Sequence, residues 1–422
     1  MRVLVVNIYF DPQSFGGATV VAERMAEQLS VNHGWEVCSL AVRFADLPTA
    51  SIVRYRTRFG SDGFNIGLPY HGDKDYEARF RNRDFIDPFA RVLDHVRPDV
   101  VHVHCIQDIG AEFLDVLVER QLPFAVTIHD FWWICERQFM IDIQGNYCGQ
   151  RKIDYARCAV CSGQRARVER RAEYLKAQLA KADRILAVSD FTRDMLVANG
   201  LPEAKVVVNK NGIAPPGDDY VPDRRGAGGD GEPTVFGFVG GPGPIKGWDL
   251  IVEAFSALPR ESYRLLAVDG GAAIGQSWRR DLERSGGHLN LEVIPAYTSQ
   301  TINDTFRRFD ALLAPSNWKE TFGLTVREAL VRQIWVIASD AGGLAEDIAD
   351  GINGRVLSFP PTAEELYRAV SEKIKNKSGN NKVSPELVLI EAQAEQLSRT
   401  LHTLVQEPAE YGSEEKREDT CR

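Results

Sequence analysis

Short apolar runs alternate along the chain with longer segments whose apolar residues recur at helical spacing. Continuous apolar runs indicate strands that are buried on both faces. In the first half they lie at 3–8, 37–42, 100–104, 124–128, 185–188 and 206–208, and in the second half at 235–239, 265–268, 291–294, 311–314, 335–338 and 355–359. Helical patterns such as 248–258 and 322–332 separate many of them. This alternation predicts two doubly wound α/β domains with mainly parallel sheets.

The boundaries between these units follow from composition. Residues 211–233 are rich in Gly, Pro and Asp, which predicts a linker between a first domain at 1–210 and a second at 234–378. Residues 379–405 are expected to contain a helix, beginning near 386, that packs back on the first domain. The polar residues 406–422 are expected to be disordered.

Composition also limits the classes of function. The chain of 422 residues is 44% hydrophobic and 26% charged, as in ordinary globular proteins, and its net charge of -9 argues against nucleic acid as the main partner. No segment reaches the ~20 apolar residues that a membrane span requires, and the N-terminus lacks a signal-peptide pattern. We therefore expect a cytoplasmic protein.

The most informative motif is PSNWKETFGLTVREA at 315–329. It predicts a helix that begins near residue 322 with Thr321 as its N-cap. A diphosphate would suit the free amides at this helix end, which are those of Phe322, Gly323 and Leu324. Glu320 would reach a bound sugar and Glu328 would hold ribose hydroxyls. The alternative is that both glutamates lie on the surface of an amphipathic helix.

This Glu-x7-Glu pattern, with SDAGGLAEDIADGINGRV at 339–356 and NGI at 211–213, resembles a known family. It is similar to the GT-B glycosyltransferases, specifically the retaining family 4 (glycosyl transferases group 1), over most of residues 1–375. The resemblance implies two Rossmann-like domains facing across a cleft, a nucleoside-diphosphate-sugar donor, retention of anomeric configuration and no catalytic metal. We expect a glycan or lipid-linked acceptor in cell-surface polysaccharide biosynthesis.

The resemblance also implies roles for residues of the second half. Lys246, in the GGPGPIKG segment that Gly240 opens, matches the family lysine that contacts the diphosphate. A cation there would neutralise the charge that the leaving group builds up. Gly241 and Pro242 stand where many relatives carry an arginine, so a second cation is missing or supplied elsewhere. Gln333 and Trp335 replace a usual Gly and Pro, which puts the local turn in doubt.

Roles in the first half are implied in the same way. Gly16 and Gly17 match the loop that approaches the donor phosphates, and His129, followed by Asp130, is expected to touch the transferred sugar. His129, Lys246 and Glu320 are thus the expected catalytic residues, acting by positioning and charge stabilisation. His102 and His104 share one strand face and are expected to be mainly structural, with His104 a weaker cleft candidate.

Four cysteines with C-x12-C-x9-C-x2-C spacing follow within residues 131–170, which we interpret as a Cys-rich insertion; they are Cys135, Cys148, Cys158 and Cys161. Their spacing favours a structural zinc, with free thiols or a redox pair as the alternative and an iron-sulfur cluster as the third. Trp132 and Trp133 are expected either in the acceptor cleft or at a membrane surface. Basic residues at 165–176 indicate either a solvated helix face or contact with anionic lipid at the inner face of the membrane or with a lipid-diphosphate acceptor.

Other functions compete with this interpretation. An epimerase or a phosphorylase-like enzyme would share the fold, and a non-catalytic subunit would bind the sugar nucleotide without turnover. A dinucleotide-dependent oxidoreductase would need a G-x-G-x-x-G motif after its first strand, which this chain lacks.

Overall fold

The computed structural model describes residues 1–45, 49–69, 76–217, 220–221, 232–376 and 387–407. Its first half builds an eight-stranded sheet from β1 (Arg2–Val6), β2 (Glu36–Ala45), β3 (Ser51–Arg56), β4 (Asp62–Pro69), β5 (Val100–Val103), β6 (Phe124–Ile128), β7 (Arg184–Ala187) and β8 (Val206–Val208). The spatial order is β3-β4-β2-β1-β5-β6-β7-β8. Every neighbouring pair is parallel except β3 and β4, which are antiparallel.

The second half builds a six-stranded sheet in which every pair is parallel. Its strands are β9 (Thr234–Phe238), β10 (Tyr263–Asp269), β11 (Leu291–Pro295), β12 (Ala311–Ala314), β13 (Trp335–Ser339) and β14 (Gly354–Leu357). The spatial order β11-β10-β9-β12-β13-β14 reverses direction beside β9. Crevices for ligands form beside such reversals, outside the carboxyl ends of the strands.

Helices cover both sheets. In the first half they are α1 (Gly16–Asn32), α2 (Ile86–Val96), α3 (Phe113–Glu119), α4 (Tyr155–Ser162), α5 (Arg165–Ala180) and α6 (Asp190–Ala198). They continue with α7 (Trp248–Ser256), α8 (Arg279–Gly286), α9 (Ile302–Phe306), α10 (Leu324–Leu330), α11 (Ala363–Lys375) and α12 (Ile390–Gln406). Each sheet has a buried apolar cluster on both faces, as expected for strands without polar alternation. The predicted α/β class with two parallel-dominated sheets is confirmed.

The last helix, α12, packs on the first half of the chain. Leu397 and Leu401 belong to the buried cluster that also contains Val3 and Met25. The indole Nε1 of Trp35 donates a hydrogen bond of 2.9 Å to Ser398 Oγ on α12. The segment expected to begin near 386 is helical only from Ile390; residues 379–386 and 408–422 lie outside the described residues.

The predicted linker lies partly outside the described residues, because 218–219 and 222–231 are not among them. At its start, Ile213 forms a bridge with Leu389, and the Gly212 amide donates to Gln393 Oε1 at 2.7 Å. A Cβ on Gly212 would lie 2.5 Å from Cα of Ile390, so only glycine allows this close approach. The start of the linker is therefore fixed against α12.

One prediction of local structure is wrong. The helix expected from 322 begins at Leu324, and Gly323, with φ of 85°, occupies the N-cap position. Thr321 does not cap it, because its hydroxyl donates instead to the carbonyl of His129 at 2.6 Å. A left-handed residue cannot continue into a helix, which explains the later start.

Candidate active site

Two residues from different loops meet at the carboxyl edge of the second sheet. Lys246 ends a short 3-10 turn after β9, and Glu320 lies in the loop after β12. Lys246 Nζ lies 3.0 Å from Glu320 Oε1, which also accepts a hydrogen bond from Ser316. Lys246 Nζ also lies 5.2 Å from the ring centroid of Trp318. The structure thus brings together two of the three predicted catalytic residues.

Glycines allow the two loops to come this close. Gly247 has φ of 77°, and a Cβ there would lie 2.0 Å from the carbonyl oxygen of Pro315. A Cβ on Gly240 would lie 3.0 Å from Cβ of Lys246 and 2.4 Å from the Phe238 ring. Side chains at either position would push the lysine turn away from the Glu320 loop.

Arg327 fixes the loop that precedes α10, and sequence analysis missed it. Its side chain is 1% exposed and forms an ion pair with buried Asp347. The same guanidinium donates to the carbonyls of Phe322 and Gly323, and to that of Gly343 at 2.8 Å. A buried guanidinium needs several acceptors to offset its lost hydration. No sequence pattern distinguishes it from an ordinary helical arginine.

The carbonyls of Phe322 and Gly323 point toward Arg327, so the amides on the other side of these peptide groups are available to a ligand. In the described part of the chain no hydrogen bond from the amides of Phe322, Gly323 or Leu324 is made to another backbone group. The Phe322 side chain is buried with Val188 and Ile213, so only its backbone can face a ligand. The predicted set of free donors is present, although the helix begins later.

Glu328 lies on α10 and is buried rather than exposed. Its Oε2 accepts a hydrogen bond of 2.8 Å from the hydroxyl of Tyr297, which follows β11. Burial and the neighbouring carboxylate raise the pKa of Tyr297 well above its usual value. The surface alternative for Glu328 is therefore wrong, and Tyr297 is a second residue that sequence analysis missed.

The loop before α1 approaches the same place from the first half. Gly16 has φ of 80° and begins α1, and a Cβ on Gly17 would lie 3.1 Å from Leu324 Cδ1. The start of α1 therefore lies against the start of α10. This contact brings the predicted N-terminal glycines beside the loop of Glu320.

His129 completes the group from the end of β6. Its carbonyl accepts the hydroxyl of Thr321, which follows Glu320 directly. Its Nε2 lies 2.9 Å from Nδ1 of His104, whereas the Nε2 of His104 is buried without a partner. Buried N–H groups without acceptors are rare. This favours a His104 protonated on Nδ1, which donates to Nε2 of His129 and leaves the proton of His129 on its own Nδ1.

Burial keeps His102, His104 and His129 neutral at ordinary pH. Burial lowers the pKa of His129 to about 4 and that of His102 to about 3, where His129 adds to the effect. His102 Nε2 also lies 2.8 Å from the hydroxyl of Thr127. The prediction that His102 is structural fits this burial, whereas His104 directly supports His129.

The four clustered cysteines are unpaired thiols. Burial raises the pKa of Cys135 to about 11. Among the described residues no three His, Cys, Asp or Glu side chains are grouped to hold a metal ion. Zinc or an iron-sulfur cluster therefore stays a prediction from spacing alone, which elemental analysis of untagged protein tests. The absence of a catalytic metal likewise stays an expectation.

The Cys-rich segment contacts the candidate site instead. Phe139 packs edge-on against Trp318, with ring centroids 5.2 Å apart, and Tyr147 packs in the same way on Phe359. Trp132 and Trp133 are buried in the core of the first half, so the predicted membrane-surface position is wrong for both. Within the described residues, no helix has the length and apolar content to cross a bilayer.

Two parallel-dominated α/β sheets whose carboxyl edges meet at Thr321 and His129 fit the GT-B architecture. Residues 15–215 match the family model Glycosyltransferase Family 4, and residues 222–386 match Glycosyl transferases group 1. Since these models together span most of the chain, the protein belongs to this family of GT-B glycosyltransferases.

Curated and solved relatives agree with this assignment. D-inositol 3-phosphate glycosyltransferase of Nocardia farcinica is 30% identical over 40% of this chain and 43% of its own length. Sucrose-phosphate synthase from Thermosynechococcus elongatus has a similar structure, with a TM-score of 0.69 at 19% identity over 96% of this chain and 99% of its own. Anabaena HepE, solved with UDP and glucose, gives 0.63 at 15% identity over 96% and 100%.

The alignment with the curated relatives is partial, because the chain spans less than half of their length. The structural matches cover nearly the whole chain, but at these identities they establish the fold alone.

Proposed function

We propose that this protein transfers a sugar from a nucleoside-diphosphate sugar to a hydroxyl of an acceptor, with retention of anomeric configuration. The observation that carries the proposal is the ion pair of Lys246 and Glu320 beside His129. A cation, a carboxylate and a neutral imidazole at facing strand ends suit a reaction whose leaving group is a diphosphate.

The donor would bind mainly to the second half. Its diphosphate would displace Glu320 from Lys246 and accept hydrogen bonds from the amides that follow Thr321. Glu328, whose second oxygen has no partner among the described residues, would accept the ribose hydroxyls. Released from Lys246, Glu320 would accept hydroxyl groups of the transferred sugar.

The side chains present suit a reaction without a protein nucleophile. After its release from Lys246, Glu320 would keep its hydrogen bond from Ser316 and accept hydroxyl groups of the sugar, and Glu328 is held by Tyr297. The leaving phosphate would accept the proton of the attacking hydroxyl on the same face of the sugar. The protein would then act by orienting both substrates and stabilising the phosphate charge, with His129 donating to the sugar from Nδ1.

A glycan or lipid-linked acceptor in cell-surface polysaccharide biosynthesis remains the class we propose, with the protein at the inner face of the membrane. One relative is named for inositol 3-phosphate, so small soluble acceptors belong in the same test.

Nucleotide release tests this function. The full-length protein is incubated with UDP-, GDP-, ADP- and dTDP-sugars, with and without glycan, lipid-linked and small soluble acceptors. Release of one nucleoside diphosphate that depends on an acceptor, with an α-linked product from an α-linked donor, is the expected result. Binding without release would favour the non-catalytic subunit, and conversion of the donor alone would favour an epimerase.

A further inference from the structure

A second cavity lies in the first half, beside His129 but outside the donor site. It has a volume of about 550 Å³, within the range of small-molecule sites. Its lining includes Gln107 and Gln138, whose amides both donate to Asp130, at 2.8 and 2.7 Å. Because Asp130 follows His129 directly, one wall of this cavity is anchored at the proposed reaction centre.

The lining of the cavity carries an excess of positive charge. Four guanidinium groups but only two carboxylates occur among its described lining residues; they are Arg79, Arg137, Arg167, Arg171, Asp108 and Glu136. Asp108 pairs with Arg79 at 3.3 Å, and Glu136 pairs with Arg167 at 3.4 Å. Asp130, directly behind this wall, offsets part of the remainder, and its carboxylate is held in place by two amides and the backbone N–H of Trp132.

Arg171 is the most informative member, because it is buried without an ion pair. Its side chain is 4% exposed, and its one hydrogen bond is a donation of 2.9 Å to the carbonyl of Trp132. No carboxylate lies within ion-pair distance of it in the described ranges. Burial lowers its pKa, since the charged form has lost its water. Glu136 and Asp130 act on Arg171 electrostatically without contacting it, so a bound anion would supply the direct partner that a buried charge favours.

The aromatic residues of the cavity hold these guanidinium planes in place. Arg171 lies over the ring of Trp132 at 5.0 Å, and Arg167 lies over that of Tyr76 at 4.2 Å. Nε of Arg167 is buried and has no hydrogen-bond partner. Planar guanidinium groups fixed by stacking present donor pairs that match the oxygens of a phosphate.

We propose that this cavity binds a phosphate group of the acceptor, so that the acceptor of the transfer is a phosphorylated molecule. That the bound molecule is an acceptor rests on the proposed glycosyl transfer. Binding of an anion in this cavity does not depend on that function. The phosphate would pair with Arg171 and Arg167, and the rest of the molecule would extend past Gln138 toward His129. The phosphate belongs either to a soluble sugar or polyol phosphate or to a lipid-linked diphosphate.

Binding of inorganic pyrophosphate tests the site without any knowledge of the acceptor. The full chain carrying Lys246→Ala, which removes the cation of the donor site, is titrated by calorimetry. Adding Arg171→Gln to this Lys246→Ala protein should lower the association constant for pyrophosphate at least tenfold. Arg170→Gln in the same Lys246→Ala protein is the matched control. Arg170 directly precedes Arg171 on α5, but it is exposed and pairs with Glu77. Equal binding by the two double variants would overturn the proposal.

Circular dichroism and the unfolding midpoint show whether the Arg171→Gln protein is folded. If it is not, Arg167→Gln provides the second test, since that side chain is 36% exposed and its loss is easier to tolerate. Arg167→Gln should also lower pyrophosphate affinity by tenfold or more. Unchanged affinity in a folded Arg167→Gln protein would contradict the proposed site.

Acceptor assays then separate the two sources of phosphate. Soluble sugar and polyol phosphates, and polyprenyl diphosphate sugars in vesicles, are each compared with their unphosphorylated counterparts. Only phosphorylated members should stimulate nucleotide release, and Arg171→Gln should raise the acceptor KM at least tenfold while the donor KM stays the same. Equal use of unphosphorylated acceptors would refute a phosphate subsite. If no donor is turned over, glycosyl transfer fails while pyrophosphate binding still decides the anion site.

Discussion

At the residue scale, Glu328 and His129 occupy different parts of the site. Truncation of each side chain should therefore change a different kinetic constant. Glu328 is fixed by Tyr297 at the site proposed for the donor nucleotide, whereas His129 follows β6 in the first half. We predict that Glu328→Ala raises the donor KM by about tenfold to a hundredfold, as expected for a lost charged hydrogen bond. His129→Ala should mainly lower kcat, by about a hundredfold. Steady-state kinetics with varied donor check this, and the opposite pattern would mean that the two roles are exchanged.

The buried histidines predict how stability depends on pH. In the unfolded chain a histidine binds a proton below about pH 6.5, whereas folded His102 does so only near pH 3. The unfolded state therefore binds more protons between these values, and stability falls as pH falls through this window. Above pH 6.5 these groups have no effect. Urea unfolding at pH 7.5, 6 and 5 should show this trend.

His102→Gln is the matched variant, because an amide can keep the hydrogen bond to Thr127 but does not titrate. Between pH 6 and 5 its free energy of unfolding should depend less steeply on pH than that of the parent, by up to ~1.4 kcal/mol per pH unit. Identical slopes in the two proteins would show that His102 does not remain neutral in the folded state.

At the scale of elements, the turn of Lys246 must pack tightly on the loop after β12. Gly247→Ala would place a Cβ against Pro315 at a positive φ, which should cost ~1–3 kcal/mol and displace Lys246 from Glu320. Gly243→Ala is the control in the same turn, because φ there is -79° and a Cβ would meet nothing closer than 3.9 Å. Unfolding midpoints and donor affinity should fall only for Gly247→Ala, and equal behaviour would rule out this packing role.

The sequence predicted the strands that are continuously apolar but not every strand. β3 and β4 were missed because β3 is an exposed edge strand without a buried pattern, and because Asn65 and two glycines interrupt the apolar residues of β4. The start of α10 was placed two residues early, since the left-handed φ of Gly323 depends on its fit against Leu344. Such fits arise from tertiary contacts that periodicity does not encode.

The same limit applies to the candidate site. The Glu-x7-Glu motif pointed to Glu320 and the family resemblance to Lys246 and His129, and each of the three follows a strand whose pattern is clear. Arg327 could not be recognised, since its partner Asp347 lies twenty residues away and neither shows its burial in the sequence. The basic residues of α5 looked alike in sequence, yet Arg171 is buried and Arg170 is exposed.

At the scale of the whole molecule, the last helix stabilises the first half of the chain. Leu401 is fully buried against the cluster of Val3 and Met25. Leu401→Ala should therefore lower the free energy of unfolding by ~2–5 kcal/mol. Arg399→Ala, on the exposed face of the same helix, should change it by less than ~0.5 kcal/mol. Denaturant unfolding followed by Trp fluorescence checks both variants, and a similar small change in each would contradict the packing of α12.

Contacts between the halves also join the two proposed substrate sites. The Thr321 hydroxyl holds the carbonyl of His129, and Phe139 packs on Trp318 beside Lys246. The Cys-rich segment thus lines the cavity of Arg167 and Arg171 on one side and contacts Trp318, beside Lys246, on the other. An acceptor bound in that cavity would lie next to a donor bound at Lys246.

We propose that Lys246 and the facing loops form a binding site for a sugar nucleotide. Isothermal titration of the full-length protein with UDP-, GDP-, ADP- and dTDP-sugars measures this directly, with Lys246→Ala as the comparison. We predict that the wild-type protein binds one of these nucleotides with a stoichiometry of about one, and that Lys246→Ala weakens binding by about tenfold to a hundredfold. Binding of no sugar nucleotide by the folded wild-type protein, or equal affinity in Lys246→Ala, would contradict the account.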